Sequence, residues 1–213
     1  MKRMDGISIG ALGLSAVATA LVYERLPERI ATHFDLHGQP DGWMARPIGA
    51  WFLPVFGLVI WAIVRYAREL LPRREKERLD AGKAALVSSF TAIFLAALQI
   101  VVIGYALSPS MSVLRPIWAI AGVMFVALGL VLPRVKRNAI VGIRTPWTLS
   151  NDENWARTQR VGGYAMVIGG VLAAISGMSG GAAGTIVALV CLIGSAIVPV
   201  VYSLVLARRI DQA

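Results

Sequence analysis

The chain has 213 residues, of which 57% are hydrophobic and 15% charged, and its mean hydropathy is +0.68. A soluble domain normally carries about 25% charged residues, so this composition excludes an ordinary soluble protein and points to one integral membrane bundle. The net charge of +9 does not indicate nucleic acid binding, because the lysines and arginines flank apolar runs instead of covering a soluble face.

In chain order, Met1, Lys2 and Arg3 precede a first apolar run, residues 7–23. Ala18-Thr19-Ala20 has the small-x-small form of a cleavage site, so a signal peptide competes with a retained span. Retention is preferred, because no soluble secreted domain follows, although the run falls slightly short of the roughly 20 residues a span needs. Residues 24–46 form a polar loop that holds both histidines, His33 and His37, with Asp35 and Asp41 nearby. Histidines four apart would share a helix face and suit a metal, but Gly38, Pro40 and Gly42 argue for turns. The competing expectation is a structured loop in which His33 and Asp41 bond the backbone.

The second run, residues 47–64, contains Pro54, which should kink its helix or open a backbone gap that a neighbour fills. Residues 65–83 are strongly charged and read as a solvated face. The third run, 84–107, contains Ser88, Ser89, Thr91 and Gln99. A turn at Pro109 leads to the fourth run, 113–132, with Arg115 placed to snorkel from its edge. The fifth and sixth runs, 161–178 and 182–206, are joined through glycine. Gly177 and Gly181, and Gly180 and Gly184, are four apart, a spacing that lets helix backbones approach closely. This reads as tight packing of the last helical hairpin. Pro199 is expected to bend the sixth helix. The lone Cys191 sits in an apolar run and reads as a small packing residue.

The densest polar design lies at 142–160, GIRTPWTLSNDENWARTQR. Pro146 excludes a helix through Thr145. Ser150 and Glu153 have capping-box spacing. Asp152 and Glu153 suit the positive end of the helix that follows, and Glu153 and Arg157 form a favourable i,i+4 pair. Trp147 and Trp155 are rings of the kind that settle at headgroup depth. The expectation is a turn and then a short helix on or entering the membrane surface; an ordinary amphipathic connector is the plainer alternative.

Seventeen of the 21 Lys and Arg fall at the two termini and in the loops 65–83 and 133–160. The positive-inside rule then puts both termini and these loops in the cytoplasm and the histidine loop, 24–46, outside. The six runs lack midplane ionisable groups, which argues against a pump or ion-coupled carrier. No nucleophile–base pair suggests a hydrolase, and no internal repeat supports an inverted-repeat transporter. The fold expected is an all-α membrane bundle of six spans.

Residues 142–164, GIRTPWTLSNDENWARTQRVGGY, resemble the C-terminal signature of the SdpI family, bacterial membrane proteins named for immunity to a sporulation-delaying toxin. Leu26, Pro27, Glu28, Arg29, Ile30, His33, Phe34, Gly38, Asp41 and Trp43 resemble the uncharacterised N-terminal domain that accompanies it. Ala31 departs from that pattern where proline is frequent, and His37 lies outside it. The resemblance implies an N-terminal membrane domain, 1–110, and an SdpI-like domain, 111–213. It implies a non-enzymatic protein without a cofactor that protects against a secreted membrane-active peptide and draws a cytosolic repressor to the membrane. The outer loop, with Pro27, His33, Gly38, Asp41 and Trp43, would meet the peptide. Arg144, Thr145, Pro146, Trp147, Ser150, Asn151, Glu153, Trp155 and Arg157 would dock the regulator. The alternatives are a small-solute or lipid transporter with a cavity near Pro54, Gln99 and Pro199, and a metal-dependent membrane enzyme using His33, His37, Asp35 and Asp41.

Overall fold

Among the described residues, six helices are long and apolar enough to cross a membrane. The structure, a computed structural model, describes residues 2–70, 73, 81–138 and 140–210. The helices in order are α1 (Lys2–Val22), the short α2 (Arg46–Gly49), α3 (Phe52–Leu70), α4 (Ala81–Leu107), α5 (Leu114–Val131), the short α6 (Pro146–Ser150), α7 (Asp152–Met178) and α8 (Gly181–Ile210). All but α2 and α6 are spans, as the six apolar runs imply. Of the charged stretch expected as a solvated face at 65–83, residues 71, 72 and 74–80 lie outside the described residues.

α1, α3 and α4 pack together, and α5, α7 and α8 form a second group joined to the first through α4 and α5. Polar side chains tie the first group at both ends. Near the N-terminus, Ser89 donates to the Met4 carbonyl (3.0 Å) and lies 3.0 Å from the Ser8 hydroxyl, and Arg65 pairs with Asp5 at 3.4 Å. At the other end lies the gap that Pro54 opens. Proline has no amide for the i−4 carbonyl, so the buried carbonyl of Ala50 lacks its helical donor. The Gln99 side chain fills the gap, donating to Ala50 (2.8 Å) and to the Thr19 hydroxyl (3.0 Å). Gln99 is fully buried and committed to this bond. Pro199 packs instead near Gly162, at the opposite end of the bundle, so the three residues named for a transport cavity do not share one.

In the second group, glycines set the distances. A Cβ on Gly122 of α5 would fall 2.4 Å from the Gly170 carbonyl of α7, and one on Gly129 would fall 2.7 Å from that of Gly163. Gly169 and Gly184 make the corresponding approaches between α7 and α8, to the carbonyls of Cys191 and Ser176. The α7–α8 hairpin is tight as expected, but of the four glycines named for it only Gly184 makes the approach: Gly177 faces α5 with Gly163 and Gly170, Gly180 lies by Arg115, and a Cβ on Gly181 would meet nothing within 4 Å. Trp118 fills the space beside Gly177 and donates to Thr185 (3.3 Å). Cys191 packs, half-buried, against the neighbouring core.

The polar loop after α1 is more regular than its glycines and proline suggest. Strands β1 (Arg29–Phe34) and β2 (Pro40–Ala45) pair antiparallel. Ile30 and Ala31 are buried beneath the hairpin, which supplies the apolar face a two-stranded ribbon needs. The turn closes through Asp35 and Gln39, with Gly38 at φ 81°. Phe34 stacks edge-on against Tyr105 of α4, with ring centroids 4.9 Å apart. The hairpin thus caps one end of the bundle. The N-terminus, residues 132–151 and the end of α8 lie at the other.

Candidate functional site: the folded segment that leads into α7

Residues 135–138 and 140–151 fold back against the first two turns of α7, held by a series of side-chain bonds to backbone. Asn138 builds the first bend. Its oxygen accepts the amides of Ile140 and Val141 (both 2.8 Å), and its nitrogen donates to the carbonyls of Lys136 (2.8 Å) and Val141 (2.9 Å). Gly142 follows at φ 126°, and a Cβ there would meet the Trp155 ring at 2.8 Å. Both backbone and space therefore require glycine. Ile143 comes next, and the fully buried Gln159 side chain binds it on both sides. It accepts the Ile143 amide (2.9 Å) and donates to the Ile143 carbonyl (3.0 Å), as a neighbouring strand would.

Thr145 caps α6 in a capping box with Thr148. Each hydroxyl takes the other residue's amide, at 3.2 and 2.8 Å, and Pro146 sits at the helix start where its missing N–H leaves no bond unmade. The expected box at Ser150 and Glu153 does not form. Ser150 ends α6, its hydroxyl donating to the Trp147 carbonyl, and the extended Asn151 caps α7 by accepting the Asn154 amide (2.9 Å). The cap is displaced by one residue because two helices meet here, and only Asn151 has the extended backbone that an N-cap uses. Arg137 fastens the junction, donating to the Leu149 carbonyl (2.6 Å) and pairing with Asp152 (2.7 Å). The expected Glu153–Arg157 pair is present at 2.7 Å on the exposed face.

The two tryptophans behave differently from interfacial rings. Trp155 is 2% exposed and donates to the Val135 carbonyl at 2.8 Å. It is a core residue, buried because the returning segment lies over it. Trp147 is half-buried and donates to the Ser203 hydroxyl of α8 (2.6 Å), beside the bond from Asn154 to the Ser203 carbonyl (2.9 Å). The buried face of α7 here is Asn154, Trp155, Thr158 and Gln159, while Glu153, Arg157 and Arg160 are exposed. Asn154, Gln159, Asn138 and Thr148 were missed at the sequence level. The available signal was that uncharged Asn154, Thr158 and Gln159 share one face while the charged residues keep to the other. Arg144, Pro146 and Ser150 are exposed as well, and Thr145 is buried.

At the opposite end, His33 pairs with Asp41 (2.5 Å) and Asp35 lies 3.6 Å from His37. His33 and Asp41 thus bond each other across the strands and not the backbone, as their near-opposite register allows. Among the described residues no three His, Cys, Asp or Glu side chains come together as a metal site. Pro27, His33, Asp41 and Trp43 are exposed, and Gly38 rests on Leu114. The Asp35 carboxylate accepts the amides of Gln39 and His37, both at 2.8 Å, and these, with the nearby His37, hold its pKa below the ordinary value. A depressed carboxylate pKa gives stability that is full above the unfolded value and is lost as pH falls through the folded one. Acidification through the lower carboxylate range is therefore expected to release the turn, seen as a loss of protection at the His37 and Gln39 amides when exchange is compared with the intrinsic rate at each pH. Asp35→Ala should show that low protection at every pH.

These features define a multi-pass α-helical membrane protein whose two ends are built from an extended hairpin and a folded, amide-rich segment. The family model of the SdpI/YfhL protein family matches residues 134–203, which take in that segment, α7 and most of α8. A domain of unknown function (DUF1648) matches residues 10–58, the first span, the hairpin and the start of the second span. The two matches fall on the two loops, and the spans beside them, whose residues carried the resemblance. It is 24% identical over 169 residues, 79% of each chain, to "Immunity protein SdpI" of Bacillus subtilis (strain 168). No solved structure matches the chain.

Proposed function

We propose that this chain is a non-enzymatic immunity and sensor protein of the bacterial cytoplasmic membrane, protecting the cell from a secreted membrane-active peptide. The observation that carries this reading is its similarity, along 79% of its length, to a protein named for immunity. In the proposed orientation both termini and residues 133–160 are cytoplasmic and the hairpin is outside, in keeping with the bias of Lys and Arg toward one end. The halves 1–110 and 111–213 act as an outer-loop domain and a signalling domain. The hairpin meets the peptide through Pro27, His33, Gly38, Asp41 and Trp43. A cytosolic repressor docks on the exposed side of the folded segment, on Arg144, Pro146, Trp147, Ser150, Asn151, Glu153 and Arg157, with Thr145 and Trp155 holding that surface from beneath.

The test is a challenge assay. Sensitive cells carrying the gene or an empty vector meet a sporulation-delaying-type peptide, with membrane potential and survival read together. Expressing cells are expected to keep their potential; depolarisation equal to the control, with membrane insertion confirmed, removes immunity to that peptide. Glu153→Ala is expected to weaken signalling without affecting insertion, since an exposed ion pair contributes no more than about 1 kcal/mol to stability. Undiminished repressor recruitment by this variant would take the docking surface elsewhere.

A further inference from the structure

A groove of about 450 Å³ opens between the first turns of α7 and the last turns of α8. Its walls combine two arginines, Arg157 and Arg209, with the apolar side chains of Val205, Leu206 and Ile210 and the ring of Tyr202. Glu153 is also in the wall, paired with Arg157 at 2.7 Å. Arg209 has no carboxylate partner among the described residues. The groove therefore carries one positive charge in excess, over an apolar floor.

Its depth follows from helix lengths. α7 has 27 residues and α8 has 30, about 40 and 45 Å at 1.5 Å per residue, against a hydrocarbon core of about 30 Å. The apolar part of α7 begins at Val161, so its first turns stand clear of the hydrocarbon. Arg208 and Arg209 end α8 at the same level. Arg157 and Arg209 thus stand where lipid phosphates lie, and Val205 points the groove back toward the acyl chains.

We propose that this groove is a binding site for an anionic phospholipid, the phosphate on Arg157 and Arg209 and the upper acyl chain along Val205 and Tyr202. A basic pocket between spans fits such a headgroup, while an apolar floor at membrane depth fits the attached chain. A free phosphate would not use that floor.

The experiment uses the full chain in nanodiscs that mix phosphatidylglycerol with phosphatidylcholine, with native mass spectrometry counting the lipids that stay bound. Wild type is expected to retain phosphatidylglycerol preferentially. Arg157→Gln and Arg209→Gln should each reduce that preference about fivefold, and Arg134→Gln, at the same end but outside the groove, should leave it unchanged. Equal retention of the two lipids by wild type overturns the proposal. So does a preference that all three variants share equally, which would reflect overall charge. Inorganic phosphate that displaces the lipid at millimolar concentration would make the site a phosphate site and also overturn it. If the arginine variants keep their lipid preference but lose a cytosolic protein partner, the groove is a protein-docking surface and the lipid assignment fails.

Discussion

Gly122→Leu is expected to prevent the second helix group from assembling. A side chain at Gly122 starts 2.4 Å from the Gly170 carbonyl and 2.7 Å from the Ala174 methyl. The atoms it meets include the backbone of α7, so no rotamer change relieves the clash. The approach is reciprocal: a Cβ on Gly170 would fall 2.6 Å from the Gly122 carbonyl, and one on Gly163 would fall 2.7 Å from that of Gly129. α5 and α7 would have to separate over both contacts. Without a hydrophobic drive between helices in lipid, close packing is a main source of association, and overpacking alone costs about 1–3 kcal/mol or more. The expected result is loss of the monodisperse folded species, measured by thermal inactivation and size exclusion in detergent. Gly122→Ala should show a smaller loss of the same kind. Gly194→Ala, with open space around its Cβ, should be unchanged or slightly stabilised, because alanine favours a helix by up to about 1 kcal/mol. A Gly122→Leu protein as stable as wild type would refute this account of the α5–α7 contact.

Gln159→Leu is expected to release residues 135–151 while leaving the bundle intact. The leucine is close in volume but supplies neither the acceptor for the Ile143 amide nor the donor to its carbonyl. The carbonyl retains the Thr148 hydroxyl at 3.1 Å; the amide, whose one partner among the described residues is Gln159, is left without any. One orphaned buried group costs about 1–3 kcal/mol, which corresponds to roughly 5- to 150-fold faster exchange of the amides it protects. Hydrogen exchange should rise at Ile143 and across the segment, with the spans unaffected. Gln159→Glu should also fail, because a carboxylate accepts the amide but cannot donate to the carbonyl. Undisturbed exchange in Gln159→Leu would mean that the segment is held by its other bonds alone. In the proposed signalling role, this variant should lose repressor recruitment although every residue on the exposed docking face is intact.

The spans were legible because their signal is additive: six long apolar runs need no partner to be recognised. So was the gap at Pro54, since the chemistry of proline requires some neighbour to supply a donor. The identity of that donor was not legible. Gln99 was visible as a polar residue in the third run, but only the packing of α4 against the start of α3 sets its nitrogen 2.8 Å from the Ala50 carbonyl. The glycine-rich end of the chain showed close packing and its α8 contacts. It did not show that Gly163 and Gly170 meet Gly129 and Gly122, because those partners lie in another run and glycine leaves no trace of its contact.

The folded segment divides in the same way. The acidic first turn of α7 and the Glu153–Arg157 pair are local, decided within a turn of chain, and the sequence determined them by itself; the helix that begins at Pro146, where only a turn was expected, needed the Thr145–Thr148 box. Which face of α7 points inward was decided by the tertiary structure. An amphipathic pattern distinguishes two faces, but a polar uncharged face can be satisfied by water or by backbone. Asn154 and Gln159 became interior residues because residues 135–151 return over them with matching amides and carbonyls, and Trp155 was buried by the same return. The cap moved from Ser150 to Asn151 because α6 claims Ser150, a competition that no single capping motif contains. Membrane class and the number of spans thus follow from composition and run length, whereas the buried amide network follows from long-range backbone partners that appear only when the chain is folded.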